Sequence, residues 1–303
     1  MERTTALEGP AAPYSLDHGA DELFLSRAEI EELLGLLQHR KNIILQGPPG
    51  VGKTYLAQRL AWMLLGARDP DHICTVQFHQ SYGYEDFVQG YRPAPGGGFV
   101  LRDGPFLRFC DRALQDRDDP YVMVIDEINR GNLSKIFGEL MMLVEADKRD
   151  PNWAVTLAYA AGDAKPFYVP PNLYIIGTMN TADRSLAMVD YALRRRFAFY
   201  DLDPGFDEPN FIRQLDLLGV PSSLATTIRQ RLNELNQRIA EDPGLGRGFR
   251  IGQSYFCAPG GTVCDQDWFE RIVNFEIAPL LREYWFDRSD EATKATDHLL
   301  GPG

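Results

Sequence analysis

The chain has 303 residues, 44% of them apolar, which suits one large domain and one smaller one, each with its own core. Its net charge of −12 argues against nucleic-acid binding by bulk charge and leaves local basic patches such as Arg194–Arg195–Arg196 for that role. No apolar run of about 18 residues could span a membrane, no basic start precedes an apolar stretch as in a secretory signal, and the four cysteines and five histidines form no zinc spacing. A cytoplasmic chain with reduced thiols is expected.

Residues 1–20 are rich in Pro, Ala and Gly and read as a flexible leader. Leu23, Ile30, Leu33, Leu34 and Leu37 then recur at helical spacing, with Leu23, Phe24 and Leu25 as candidates to pack on a nucleotide base. The apolar run 42–46 predicts a strand, and 55–65 predicts a helix. Between them lies Gly47-Pro48-Pro49-Gly50-Val51-Gly52-Lys53-Thr54, followed by Tyr55. This GxxxxGKT pattern between a strand and a helix is a phosphate-binding loop. Its glycines let backbone N–H groups close on phosphate oxygens, and the helix N-terminus adds a positive dipole. Lys53 is expected to reach the β- and γ-phosphates and Thr54 to ligate Mg²⁺; Gly47 to Tyr55 are the candidate nucleotide-binding residues.

Further strands are predicted at 74–78, 121–125, 172–178 and 197–202, with a helix at 106–114 and helical spacing from Leu133 to Val144. The glycines of 96–104 predict a hairpin or exposed loop, and 153–159 with 167–169 predict a β-hairpin insertion. Strands alternating with helices imply a parallel α/β sheet. Asp126 and Glu127 follow a strand whose continuous apolarity marks it as buried, at the end where such sheets place ligands. Asp126 is the candidate Mg²⁺ carboxylate and Glu127 the residue that activates water, although paired carboxylates at a strand end also cap helices. Asn180 can hold the lytic water or the γ-phosphate, or form a turn. Arg194, Arg195 and Arg196 either complement a helix C-terminus, worth about 0.3–1 kcal/mol, or reach a neighbouring subunit's γ-phosphate, worth roughly 10³–10⁵ in rate. Beyond Asp203 helical patterns dominate, at 224–239 and 268–285. The expected domains are a large α/β nucleotide-binding domain over 21–203 and a small helical lid over 204–303.

Four stretches carry a family resemblance: VQFHQSYGYEDFVQGYRP at 76–93, IDEINRGNLSKIFGELMMLVEADKR at 125–149, FYVPPNLYIIGTMNTADRSLAMVDYALRRRFAF at 167–199 and GRGFRIGQSYF at 246–256. Together they resemble the AAA+ motor domain of the McrB family, the GTPase subunits of modification-dependent restriction systems. The phosphate loop and the Asp-Glu pair are common to many ATPases; the first and third stretches are far more specific. The resemblance implies an AAA+ P-loop NTPase with a parallel sheet flanked by helices and a small helical lid domain. It implies a hexameric ring hydrolysing GTP with Mg²⁺ at subunit interfaces, an McrC-like partner that stimulates hydrolysis and carries the nuclease, and translocation along DNA. By position, Asp126 and Glu127 match the family's Mg²⁺ and water-activating carboxylates, Asn180 its sensor, and Arg195 and Arg196 its inter-subunit arginines. Gln253 departs from the family pattern, which has His there, and Arg250 or Gln253 could approach the nucleotide. Family members carry an N-terminal module that recognises the modified base; this stretch holds none, so target choice is expected to lie elsewhere. Two other functions share the phosphate chemistry: a MoxR-like ATP-dependent remodelling chaperone, separable by comparing GTP with ATP turnover, and a nucleotide-gated assembly platform, separable by assembly without phosphate release.

Overall fold

The computed structural model describes residues 11–160, 164–183 and 191–301. In chain order these form α1 (Leu16–Glu22), α2 (Arg27–Arg40), β1 (Asn42–Gly47), α3 (Lys53–Leu65), β2 (Ile73–Gln77), α4 (Tyr84–Phe87), β3 (Gln89–Pro93), β4 (Phe99–Asp103), α5 (Pro105–Gln115), β5 (Tyr121–Asp126), α6 (Leu133–Phe137), α7 (Leu140–Leu143), β6 (Leu173–Asn180), α8 (Tyr191–Arg196) and β7 (Ala198–Asp201). They are followed by α9 (Pro209–Leu217), α10 (Ser222–Glu241), α11 (Gln266–Ile272), α12 (Ala278–Tyr284) and α13 (Ser289–Leu300).

Five strands make one parallel sheet in the order β2-β5-β6-β1-β7. The period-2 geometry of a strand divides its side chains between two cores. Ile43, Leu45, Val122 and Val124 face the cluster built with α2 and α3, while Ile44, Met123 and Ile125 face the cluster built with α5, α6 and α7. Burial on both faces explains why β1 and β5 read as continuous apolar runs rather than alternating ones. The buried residues of a third cluster run from Phe206 through α10 to Leu299 and form a second, helical core, against which Phe24 from the N-terminal segment also packs.

Several elements differ from the sequence expectation. Residues 11–20 are part of the fold rather than a leader: Pro13 bridges Ala67, the Tyr14 ring is buried, and α1 begins at Leu16; residues 1–10 lie outside the described ones. The helix expected to run through residue 24 breaks at 23–25 and restarts behind a capping box of Ser26 and Glu29. The stretch 96–104, expected to be a hairpin or exposed loop, supplies β4 and part of the turn at 94–98 of a hairpin whose first strand, β3, is not among the expected strands. The second predicted hairpin reduces to one bridge, Val155 with Phe167. Pro166, Pro170 and Pro171 bring no N–H to extend a ladder there, and Gly162–Asp163 lie outside the described residues. The long helix expected over 268–285 is interrupted by a π-helical turn at Val273–Ile277. Pro279 supplies the cause, since its missing N–H and its ring exclude a regular α-turn over the preceding residues.

Candidate nucleotide site

Three neighbouring strands end side by side. β6 lies between β1 and β5, and in register Gly47 stands opposite Asn180. This places the phosphate loop, the Asp126–Glu127 pair and Asn180 along one edge, with adjacent strands about 4.8 Å apart. The loop leaves β1 with Gly50 at φ 78° and Gly52 at φ 83°, a left-handed backbone that glycine adopts without strain. Gly52 is the N-cap of α3 and no side chain caps the helix, so its first N–H groups remain available to an anion.

Lys53 Nζ donates to the carbonyls of Gly47 (2.9 Å) and Pro48 (2.8 Å). Burial pushes its pKa down to about 8, against the opposing pull of Glu127 and Asp126. Thr54 donates its hydroxyl to Asp126 Oδ1 at 2.8 Å, and Thr178 donates to the same oxygen at 2.5 Å. Thr54 and Asp126 thus present adjacent hard oxygen donors, the set that suits Mg²⁺. Thr178 is not singled out by the sequence; its signal there is a polar residue at the end of an apolar run, and in the structure it is only 2% exposed.

Glu127 has φ 51° and ψ 45°, a left-handed conformation that costs a non-glycine residue of order 1–3 kcal/mol and clusters at functional sites. The Glu127 N–H donates to Thr178 Oγ1 at 3.2 Å, which links the turn to β6. The Glu127 carboxylate lies 3.2 Å from Arg130 Nε, and Arg130 also approaches Asp183 at 3.5 Å. Asn180 Oδ1 accepts the Ala182 N–H at 3.2 Å. One lone pair of the amide oxygen is thus held in a turn, and Nδ2 is the donor that suits a phosphate oxygen.

The arginines lie at the opposite edge of the sheet. The Arg195 carbonyl accepts from Arg40 and the Arg196 carbonyl from Asn42 Nδ2, at the start of β1. β1 runs from Asn42 at that edge to Gly47, five steps of about 3.3 Å or roughly 16.5 Å. Arg196 is paired with Glu145 at 3.1 Å and half-buried, whereas Arg195 is exposed. Neither reaches its own chain's phosphate loop. Residues 184–190 of the predicted MNTADRS–DYALRRRF stretch lie outside the described ones.

A cavity of about 230 Å³ adjoins the loop, lined by Glu22, Leu23, Phe24 and Leu25 with Gly52 and Tyr55. The three apolar residues proposed to pack on a base are therefore beside the phosphate loop. Tyr55 is itself half exposed, with the Arg59 guanidinium 3.3 Å above its ring. Arg250 pairs with Asp203, and Gln253 lies buried against the loop.

Residues 42–197 match the AAA domain (dynein-related subfamily), and residues 227–293 match the alpha-helical lid domain of McrB. The chain is a McrB-type AAA protein. It is 54% identical over 291 residues to the type IV methyl-directed restriction enzyme EcoKMcrB subunit of Escherichia coli (strain K12), covering 95% of this chain and 63% of that relative. It is 28% identical over 198 residues to the type II restriction enzyme BsuMI component YdiS of Bacillus subtilis (strain 168), covering 54% of this chain and 57% of the relative. The chain thus spans less than two thirds of either. Its fold is the McrB-type one, a parallel five-stranded AAA sheet flanked by helices and followed by the lid. Among the described residues no helix is long and apolar enough to cross a membrane.

Proposed function

We propose that this chain hydrolyses GTP at a site shared by neighbouring copies in a hexameric ring, as the motor of a modification-dependent DNA restriction complex. The observation that carries the reading is the split geometry. The loop, Asp126, Glu127 and Asn180 share one sheet edge, while exposed Arg195 stands at the other. In this reading Gly47, Pro48, Pro49, Gly50, Val51, Gly52 and Tyr55 surround the nucleotide, and Lys53 leaves the Gly47 and Pro48 carbonyls for the β- and γ-phosphates. Thr54 and Asp126 would hold Mg²⁺, which supplies neutralisation of the phosphate charge. Glu127 takes the proton of the attacking water or orients it, and Asn180 Nδ2 holds that water or the γ-phosphate. Arg195 of one copy stabilises charge on the next copy's γ-phosphate. Arg196, held by Glu145, fixes the turn that presents Arg195. We place the boundary between the AAA core and the lid after Asp203.

Kinship with the restriction subunit of Escherichia coli supports an McrC-like nuclease partner and DNA as the track, with the target read by a module outside this sequence. Glu22 lines the cavity, but its carboxylate is held by the Tyr14 hydroxyl, Arg59 and Arg68, so the choice of GTP over ATP rests on the family resemblance. Turnover of GTP and ATP, with and without an McrC-like partner, tests the proposal. GTP hydrolysis faster by tenfold or more and stimulated by the partner is expected; faster ATP hydrolysis would overturn the nucleotide assignment.

A further inference from the structure

The lid touches the phosphate loop through backbone. The Gly252 N–H donates to the Pro49 carbonyl at 2.9 Å, and the Ser254 N–H donates to the Gly50 carbonyl at 2.8 Å. Between these two rungs, Gln253 is 3% exposed and its amide faces both ways. Its Nε2 lies 3.5 Å from the Val51 carbonyl, and its Oε1 accepts the Gly205 N–H at 2.9 Å, in the segment that joins sheet to lid. The Tyr255 ring closes over Gly50, where a Cβ would fall 2.7 Å from it.

Gly252 is what permits this approach. Its own backbone, φ −83° and ψ 167°, suits any residue. A Cβ there, however, would sit 2.0 Å from the Gly50 carbonyl carbon and 2.3 Å from the Val51 nitrogen. Backbone on both sides cannot yield as a flexible side chain would. The requirement for glycine therefore comes from the phosphate loop and not from the lid's local fold.

We propose that Gly252 and Gln253 form a latch that makes the conformation of the phosphate loop and the position of the lid a single variable. Gln253 acts as a positioning residue, because it grips the loop, the lid and the connection between them at once. Lys53 hydrogen-bonds the carbonyls of Gly47 and Pro48, and the latch takes those of Pro49, Gly50 and Val51. Each successive carbonyl from Gly47 to Val51 is thus held, the first two by the lysine and the last three by the lid. When Lys53 turns to a triphosphate, the strain of any loop rearrangement passes straight to the lid. This rests on reading the loop as a triphosphate site.

The test is hydrogen–deuterium exchange on the full chain, with and without a non-hydrolysable GTP analogue, for wild type, Gly252→Ala and Gln253→Leu. In wild type the analogue is expected to slow exchange in both 47–54 and 250–256. In Gly252→Ala it slows only 47–54, and affinity falls about tenfold, inside the roughly 5–150-fold range of coupled sites. Gln253→Leu, whose apolar side chain suits the buried position, weakens the lid response, and Gln253→His, which keeps one donor and one acceptor, restores it. A lid segment that responds in Gly252→Ala as it does in wild type overturns the latch. If wild type binds no triphosphate, the nucleotide reading falls and the latch is judged in the free chain. Slow exchange of the residue-252 and Ser254 amides in wild type and fast exchange in Gly252→Ala supports it; equal rates overturn it.

Discussion

Raising the pH should weaken triphosphate binding in a way set by one residue. Burial pushes the Lys53 pKa down to about 8 while it hydrogen-bonds the Gly47 and Pro48 carbonyls. A bound triphosphate places several negative charges beside the ammonium and favours the charged form. Binding therefore takes up a proton wherever the free chain has lost one. At pH 7 about nine in ten free chains carry the charged lysine, and at pH 9 roughly one in ten do, for a pKa of about 8. The dissociation constant should accordingly rise about tenfold between those values, or about 1.4 kcal/mol. Nucleotide phosphates are fully ionised over most of this interval, so the slope belongs to the protein. The assay is calorimetric titration with a non-hydrolysable GTP analogue in buffers of different ionisation enthalpy, which reads proton uptake directly. Lys53→Ala should bind weakly at every pH and show no uptake. Equal affinity at pH 7 and 9, or uptake that survives in Lys53→Ala, would refute the assignment of Lys53 to the phosphates.

The remaining expectations concern other residues. Glu127→Gln should bind triphosphate and assemble yet turn over at least 100-fold more slowly, in keeping with loss of a general base; single-turnover phosphate release at the wild-type rate would contradict its role. Arg149 is fully buried, with its pKa pushed down to about 10 by burial, and it donates to the Val144 and Leu173 carbonyls and to Asn42 Oδ1. The Val144 carbonyl keeps the Asn42 Nδ2 donor at 2.7 Å, so Arg149→Leu would orphan two acceptors, the Leu173 carbonyl and Asn42 Oδ1, at about 1–3 kcal/mol each, against relief of roughly 3 kcal/mol from no longer burying the cation. The orphaned acceptors should win by about 1 kcal/mol, read from the denaturant midpoint, and an unchanged midpoint would show that other groups replace the contacts. His72 lies between Asp69 and Asp116; burial opposes its charge, but the two carboxylates outweigh burial and raise its pKa. Its stabilisation should be complete below about pH 6.5 and fade as pH climbs through the raised value. His72→Gln should therefore cost more stability at pH 5.5 than at pH 9, and a cost independent of pH would rule out the charged ring as its source.

Local sequence carried the site where one stretch supplied all its parts. The phosphate loop needs its glycines, lysine and threonine within eight residues, and β1, β5 and β6 announced themselves as apolar runs because both their faces are buried. What stayed hidden was contact between residues far apart in sequence. Thr178 on Asp126, Arg149 on Asn42 and Gly252 on Gly50 join residues 52, 107 and 202 positions apart, and no window of sequence relates them. Tyr14 misled for a similar reason. The stretch around it lacks periodicity, yet its ring is buried beside Trp62 of α3, so an apparently structureless leader belongs to the fold. The split between the loop and the arginines was also invisible, because 140 positions of sequence between Tyr55 and Arg195 say nothing about which edge of the sheet each occupies.

The most direct measurement mixes two variants that are each inactive: Lys53→Ala, which cannot grip the nucleotide, and Arg195→Ala, which cannot lend its cation. Under conditions where the chain assembles, the mixture should hydrolyse GTP well above the rate of either variant alone, since interfaces pairing an intact loop with an intact arginine form only between the two. A mixture no faster than its components would mean that the pocket is not built across neighbouring copies.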